Sequence, residues 1–190
     1  MAKLFFRYGV VSSAKTMNLL AVAHNYETKK ENILLIKPAI DNRFGEETIK
    51  TRAGLSKKAN VILAYDELIP KEKLEGIKAI IVDEAQFLSS KTIEQLSEIT
   101  SLYDIPVMCY GLRTDFKRNL FEGSKRLLEL ADKIEEIKQT CYSCNKKAIF
   151  NLKKIGDKVI TEGDVVDLGA EEKYLPICNK CYLKAVGKLR

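Results

Sequence analysis

A chain of 190 residues, 46% hydrophobic and 31% charged, can bury one substantial core with a small appendage, and is too balanced for a fibrous or disordered protein. No apolar run nears the roughly 18 residues of a membrane-spanning helix, and no small-residue cleavage site follows the early Lys3, so a cytoplasmic protein with no membrane partner is expected. The formal charge of +6 is scattered over pairs such as Lys29-Lys30, Lys57-Lys58, Lys146-Lys147 and Lys153-Lys154, which read as solvated faces rather than a nucleic-acid stripe; a modest positive field also suits an anionic nucleotide.

The first strand is expected at Leu4 to Tyr8. Gly9-Val10-Val11-Ser12-Ser13-Ala14-Lys15-Thr16 follows and leads into a helical stretch from Met17 to Ala23. Strand, glycine-containing loop, Lys-Thr and helix form the setting of a phosphate-binding P-loop. Backbone N–H groups and the helix N-terminus would face phosphate, Lys15 would reach the β- and γ-phosphates of ATP, and the Thr16 hydroxyl would ligate Mg²⁺. Ala14 stands where the pattern G-x-x-x-x-G-K-[ST] has its second glycine, and so puts a methyl where backbone must approach phosphate.

Asn32 to Lys37 reads as a buried parallel strand ended by Pro38, and Asp41-Asn42-Arg43-Phe44-Gly45 as a charged loop at its carboxyl end, where open α/β sheets line their ligand crevice. Residues 46–59 are polar, with Gly54 inside, and are expected as loop or short helix. Residues 60–64 read as a third strand, and residues 66–75 as a short helical crossover interrupted at Pro70. Lys78 to Glu84 is an apolar strand ending in Asp83-Glu84. That position lets Asp83 hold Mg²⁺ beside the P-loop and lets Glu84 accept a proton from an attacking hydroxyl or water.

Ser89-Ser90 cap a helix with Ile93, Leu96, Ile99 and Leu102 on one face. A strand is expected at residues 105–110, a ligand-side loop at 111–116, a helix at 121–131 and a last strand at 133–138. The alternation predicts a doubly wound α/β domain over residues 1–138. His24, the one histidine, reads as an ordinary residue of the P-loop helix, and Cys109 as an inert core thiol.

Composition then changes. Cys141-x-x-Cys144 and Cys178-x-x-Cys181 are separated by 33 residues that include an expected hairpin, 149–155 with 158–161, turning at Gly156-Asp157. Four thiolates leave no open coordination position, so a structural Zn²⁺ is expected within a zinc domain over residues 139–190. Residues 162–174 read as a loop whose ends the zinc would fix, one way to build a lid over a substrate.

Together these segments resemble the type II thymidine kinase family, the tetrameric cytosolic and bacterial form. The resemblance covers nearly the whole chain. It rests on the P-loop, residues 41–45, Asp83-Glu84-Ala85-Gln86-Phe87, Tyr110 to Phe116, Phe121-Glu122-Gly123, both cysteine pairs and Glu172-Lys173-Tyr174. It implies a P-loop, RecA-like, doubly wound and mainly parallel α/β sheet with a small C-terminal zinc-ribbon-like domain that carries a lasso loop. It implies transfer of the ATP γ-phosphoryl group to the 5′-hydroxyl of thymidine or deoxyuridine, with Mg²⁺, structural Zn²⁺, a homotetramer, feedback inhibition by thymidine triphosphate and no nucleic-acid partner.

On that resemblance Glu84 is the general base and Lys15 stabilises the transferring phosphoryl group. Gly9, Val10, Val11, Ser12, Ser13, Ala14, Lys15, Thr16 and Asp83, with Asp41 and Arg43, hold ATP and Mg²⁺. Gln86, Phe87, Leu112, Phe116, Phe121, Val165, Val166 and Tyr174 hold the nucleoside, and Cys141, Cys144, Cys178 and Cys181 hold zinc. Asp164 to Tyr174 matches the lasso, which grips the base edge largely through backbone groups. Val10-Val11 replaces a pair whose second member is usually Met, near the thymine methyl. Two other readings stay open from the residues. One is a nucleic-acid-dependent ATPase, because Asp83-Glu84-Ala85-Gln86 is similar to a helicase D-E-x-x box, although the chain has no second motor lobe and no concentrated basic face. The other is a catalytically impaired nucleotide sensor, motivated by Ala14 and Val10-Val11.

Overall fold

The computed structural model describes residues 1–165 and 173–189. Six parallel strands form the central sheet in the order β5-β2-β6-β7-β1-β8. They are β1 (Leu4–Tyr8), β2 (Ile33–Pro38), β5 (Val61–Leu63), β6 (Ala79–Val82), β7 (Val107–Gly111) and β8 (Lys133–Glu136). Period-two alternation sends successive side chains to opposite faces. Leu34, Ile36, Ile80, Val82, Val107 and Cys109 enter one core, under α2 (Ser90–Leu102) and α3 (Glu122–Leu130). Leu35, Ala79, Ile81, Met108 and Tyr110 enter the other, under α1 (Lys15–Thr28). Covering on both faces explains the unbroken apolar runs of β2, β6 and β7. The edge strand β8 is charged and largely exposed, which blocks edge-to-edge pairing.

Helix α2 begins where its sequence signal places it: the Ser89 side chain accepts the Thr92 N–H at 3.2 Å, and Ile93, Leu96 and Ile99 are buried. Cys109 is fully buried, and burial pushes its thiol well above the usual range.

Three expectations are corrected. Residues 46–59 form a β-hairpin, β3 (Thr48–Lys50) with β4 (Ser56–Lys58). Ile49 and Ala59 tuck into the α1 core while most of its other side chains stay outside, too few apolar residues to register as a pattern. Of the crossover expected at residues 66–75, only a 3-10 turn at Lys71–Leu74 is helical. Ahead of it, side chains replace helical hydrogen bonds: Glu67 accepts the Ala64 N–H at 2.9 Å, and Gln95 both accepts from Ile69 N and donates to Ile69 O at 2.8 Å. Tyr174, expected in a loop, instead opens β11 (Tyr174–Ile177), and Cys178 caps a further helix, α4 (Asn179–Ala185). Pro176 hides β11 from a sequence reading, but β11 is an edge strand, where proline is tolerated.

β9 (Phe150–Ile155) and β10 (Lys158–Ile160) form the expected hairpin, and β11 completes a three-stranded antiparallel sheet in the order β10-β9-β11. Its core of Ala148, Leu152, Ile177 and Tyr182 surrounds Cys141 and Cys178, and it also takes in Val10 from the loop after β1. Beside Val10, the buried Asn151 side chain accepts the Val11 N–H at 2.9 Å and donates to Thr114 O at 3.3 Å. One side chain of β9 thus joins the loops after β1 and β7. Asn151→Ala leaves the half-buried Val11 N–H and the Thr114 carbonyl without this partner and is expected to lower stability by about 1–2 kcal/mol, measured as a fall in the urea midpoint.

Candidate active site

The strand ends β1, β2, β6 and β7 converge on one cleft of about 320 Å³, a volume suited to a small ligand. The loop over residues 9–16 forms one wall. Ser12 (φ +60°) and Ala14 (φ +61°) are left-handed and Ser13 between them is not, so the backbone alternates hand just ahead of α1, a pattern that turns successive N–H groups toward one side. Ala14 occupies the glycine position and bears the left-handed strain itself, a cost of about 1–2 kcal/mol. The Lys15 ammonium folds onto this loop, 2.8 Å from Val10 O and 3.5 Å from Ser13 Oγ. Val11 to Thr16 line the cleft; Gly9 and Val10 lie beneath it, where the Gly9 N–H bonds Gly111 O at 3.2 Å.

Opposite, β6 ends in Asp83-Glu84. The Thr16 hydroxyl donates to Asp83 Oδ2 at 3.3 Å, so a hydroxyl and a carboxylate oxygen sit side by side. Glu84 takes φ +48°, left-handed for a non-glycine residue, and starts a tight 3-10 turn at Ala85–Phe87. That turn is clamped by close backbone approach. A Cβ on Gly111 would lie 2.5 Å from Gln86 Oε1, and one on Gly123 would lie 2.6 Å from the carbonyls of Ala85 and Leu88. Strain held by such packing is a mark of functional sites.

The buried Glu84 carboxylate is bracketed. Oε1 accepts from Arg43 Nη2 at 2.6 Å, and Oε2 accepts from Gln86 Nε2 at 2.6 Å. Gln86 is itself fixed, because its Oε1 accepts the Leu112 N–H at 3.0 Å. Arg43 Nε also donates to Asp41 Oδ1 at 2.6 Å. Behind Asp41 the fully buried Lys37 donates to the carbonyls of Gly45 and Thr48, and its ammonium is 3.7 Å from Asp41. Burial opposes ionisation of Glu84, yet Arg43, then Lys15 and the Gln86 hydrogen bond, hold it below the ordinary carboxylate value. The same Glu84 charge adds to burial at Asp83 and pushes that carboxyl up to about 7. Two adjacent carboxyls thus stand in different protonation regimes, the arrangement expected of groups with separate chemical roles.

Apolar side chains wall the other half of the cleft. Phe87 and Phe121 pack edge to face at 5.7 Å, Phe116 and Tyr174 lie 6.4 Å apart, and Leu112 and Val165 join them. Tyr182 of α4 donates to Phe116 O at 3.2 Å, and the Lys153 ammonium of β9 lies 5.0 Å over the Phe116 ring, so both tie this wall to the C-terminal cysteine module. Val166 lies outside the described residues. The sequence reading missed Thr51, Arg52 and Ala53 at the tip of the β3–β4 hairpin, and also Asn151, all of which line the cleft. The signal available for the hairpin tip was Lys50-Thr51-Arg52, a basic cluster before Gly54 in a segment leaving a ligand-side strand.

Cys141, Cys144, Cys178 and Cys181 bring their sulfurs within 4.8 Å of one another, and the Cys144–Cys178 pair is 3.7 Å apart. Tetrahedral zinc with Zn–S bonds near 2.3 Å requires sulfurs about 3.8 Å apart, so the cluster fits a structural zinc.

Fold and cleft define an α/β protein with a cleft at the carboxyl edge of a parallel sheet and a four-cysteine module in its C-terminal region. The family model for thymidine kinase matches residues 2–182. Curated thymidine kinases are similar over almost the whole chain. That of Lactococcus lactis is 40% identical over 188 residues, 97% of this chain and 98% of its own. That of Lactiplantibacillus plantarum is 41% identical over 184 residues, 96% of each chain, and that of Streptococcus agalactiae is 39% identical over 188 residues, 96% of this chain and 97% of its own. The chain belongs to the thymidine kinase family. A Bacteroides Pif1 structure bound to single-stranded DNA superposes at a TM-score of only 0.40 and 12% identity, over 71% of this chain and 38% of that one, too low to bear on function.

Arg43 is the main opposing charge that keeps Glu84 ionised. Arg43→Met is therefore expected to raise the Glu84 pKa; with Glu84 as the base proposed below, the acid limb of the pH–rate profile moves to higher pH, because the ionised form then appears only at higher pH.

Proposed function

We propose that this chain is an ATP-dependent thymidine kinase in which Glu84 is the general base. The observation that supports this reading most is the Glu84 carboxylate, held charged between Arg43 and Gln86 where the aromatic half of the cleft meets the Lys15-Thr16 half. The flat pyrimidine of the nucleoside fits between Phe87, Phe116, Phe121 and Tyr174, and the 5′-hydroxyl of its deoxyribose then points toward Glu84. The triphosphate lies along the P-loop, with Lys15 swung from Val10 O onto the β- and γ-phosphates. Glu84 takes the hydroxyl proton as the 5′-oxygen bonds to the γ-phosphorus, and the bond to the β–γ bridging oxygen breaks to release ADP. Thr16 and Asp83 offer the hard oxygen ligands that suit Mg²⁺, which when bound neutralises phosphate charge and favours the ionised form of Asp83. Closed apolar walls exclude water, which would otherwise compete as acceptor.

Residues 1–138 are then the nucleotide-binding unit and residues 139–190 the zinc unit, with a lasso over residues 164–174 assigned to the base by the family resemblance; residues 166–172 of it lie outside the described residues. Lys153 supports that role at the lasso's start, where it donates to Asp164 O at 3.3 Å. Deoxyuridine is a second substrate, since it lacks only a methyl worth about 1 kcal/mol of burial. Thymidine triphosphate inhibits by spanning both halves of the one cleft. The homotetramer rests on the family resemblance, and the thiol-rich four-cysteine module suits a cytoplasmic setting.

Incubated with Mg²⁺-ATP and each natural deoxynucleoside in turn, the purified protein is expected to form monophosphate from thymidine and deoxyuridine and little from the purine nucleosides. ATP binding with no product from any nucleoside would contradict the reading.

A further inference from the structure

The β3–β4 hairpin brings a cation to the phosphate half of the cleft. Arg52 lies at its tip, and Arg52 Nη1 donates to Ser12 Oγ at 2.6 Å, across the cleft mouth from the α1 end of the loop. Ser12 is one of the two left-handed residues of the loop that the proposed function assigns to the triphosphate, so the guanidinium stands against that loop. The hairpin that delivers it is anchored. Ile49 and Ala59 are in the α1 core, Lys57 pairs with Glu27 on α1, Lys37 holds Thr48 O from below, and buried Thr51 closes the tip by accepting the Leu55 N–H at 3.0 Å.

The charges facing this part of the cleft point the same way. Arg43 is engaged by Asp41 and Glu84 on the far side, and Asp83 sits with Thr16 at the start of α1. Magnesium-bound ATP retains a net negative charge that Lys15 alone does not balance, and the other lysine lining the cleft, Lys50, holds its ammonium 5.8 Å over the Phe44 ring. We infer that Arg52 is a second triphosphate-binding cation, carried on the β3–β4 hairpin and exchanging its bond to Ser12 for phosphate oxygens when ATP enters. The fork of an arginine suits two phosphate oxygens at once, as a lysine does not. This inference rests on the P-loop reading proposed above.

Binding of Mg²⁺-ATP and the KM for thymidine are measured on wild type, Arg52→Ala and Arg52→Lys, with the ATP titrations repeated over a range of salt. Arg52→Ala is expected to weaken ATP binding about tenfold, the scale of one charge-assisted contact at an exposed site, with the thymidine KM within twofold of wild type. Its ATP affinity falls less steeply with salt, because one screened charge is gone, and Arg52→Lys lies between the two. Unchanged ATP affinity in Arg52→Ala, with wild type binding normally, overturns the inference alone. Equal weakening of ATP and thymidine overturns it in favour of a hairpin that merely props the cleft. A wild type that does not bind ATP overturns the P-loop reading and the inference with it.

Discussion

Arg43 and Glu84 are 41 residues apart in the chain and meet at 2.6 Å in a buried site. The remaining contacts of the site are arranged around that pair. A carboxylate out of water is costly unless it is paired and hydrogen-bonded, and removing one partner of such a pair typically costs about 3–5 kcal/mol. The chain spends three strand ends on meeting that requirement. The loop after β2 supplies Arg43, braced by Asp41 and Lys37; the end of β6 supplies Glu84 and Gln86; and the end of β7 supplies the Leu112 N–H that orients Gln86. The left-handed backbone at Glu84 and the close approach of Gly111 and Gly123 follow from the same need, because the turn must be tight to aim a carboxylate back into the cleft.

A second constraint links the two sheets. Val10 belongs to the cysteine-module core although it follows β1, and Asn151 of β9 bonds both the Val11 N–H and Thr114 O. Tyr182 holds the carbonyl of Phe116, a wall of the apolar half. The four-cysteine cluster therefore does more than close a terminal appendage. Whatever fixes its sulfurs also fixes β9 and α4, and through them the position of the loop after β1 relative to the aromatic walls. In a group-transfer site a displacement of about 1 Å is enough to cost orders of magnitude in rate, so a rigid link between the two halves has a functional value beyond its stability.

The legible parts of the sequence were those governed by local or periodic physics. β2, β6 and β7 read as apolar runs because both sheet faces are covered, Ser89 read as a cap because its hydroxyl takes the Thr92 N–H, and the cysteine pairs read as a metal module from their spacing. What stayed hidden depends on pairing across the chain. The β3–β4 hairpin buries Ile49 and little else from its strands, so nothing in residues 46–59 announces strands. β11 contains a proline and forms only because β9 is there to pair with. Asn151 looks like any polar residue of a hairpin until the loops after β1 and β7 close on it. Asp83-Glu84 was visible as an acidic strand end, but the separate protonation of its two carboxyls comes from Arg43, Lys15 and Gln86, which only the fold brings together.

The central claim is that Glu84 acts as a base, and the most direct measurement is the single-turnover rate of thymidine phosphorylation by Glu84→Gln, with ATP and thymidine affinities determined alongside. Glutamine keeps the shape and can accept the Arg43 hydrogen bond through its carbonyl oxygen, but it cannot take the hydroxyl proton. The account predicts affinities within a few-fold of wild type and a transfer rate lower by at least about a hundredfold. Transfer at the wild-type rate would contradict it.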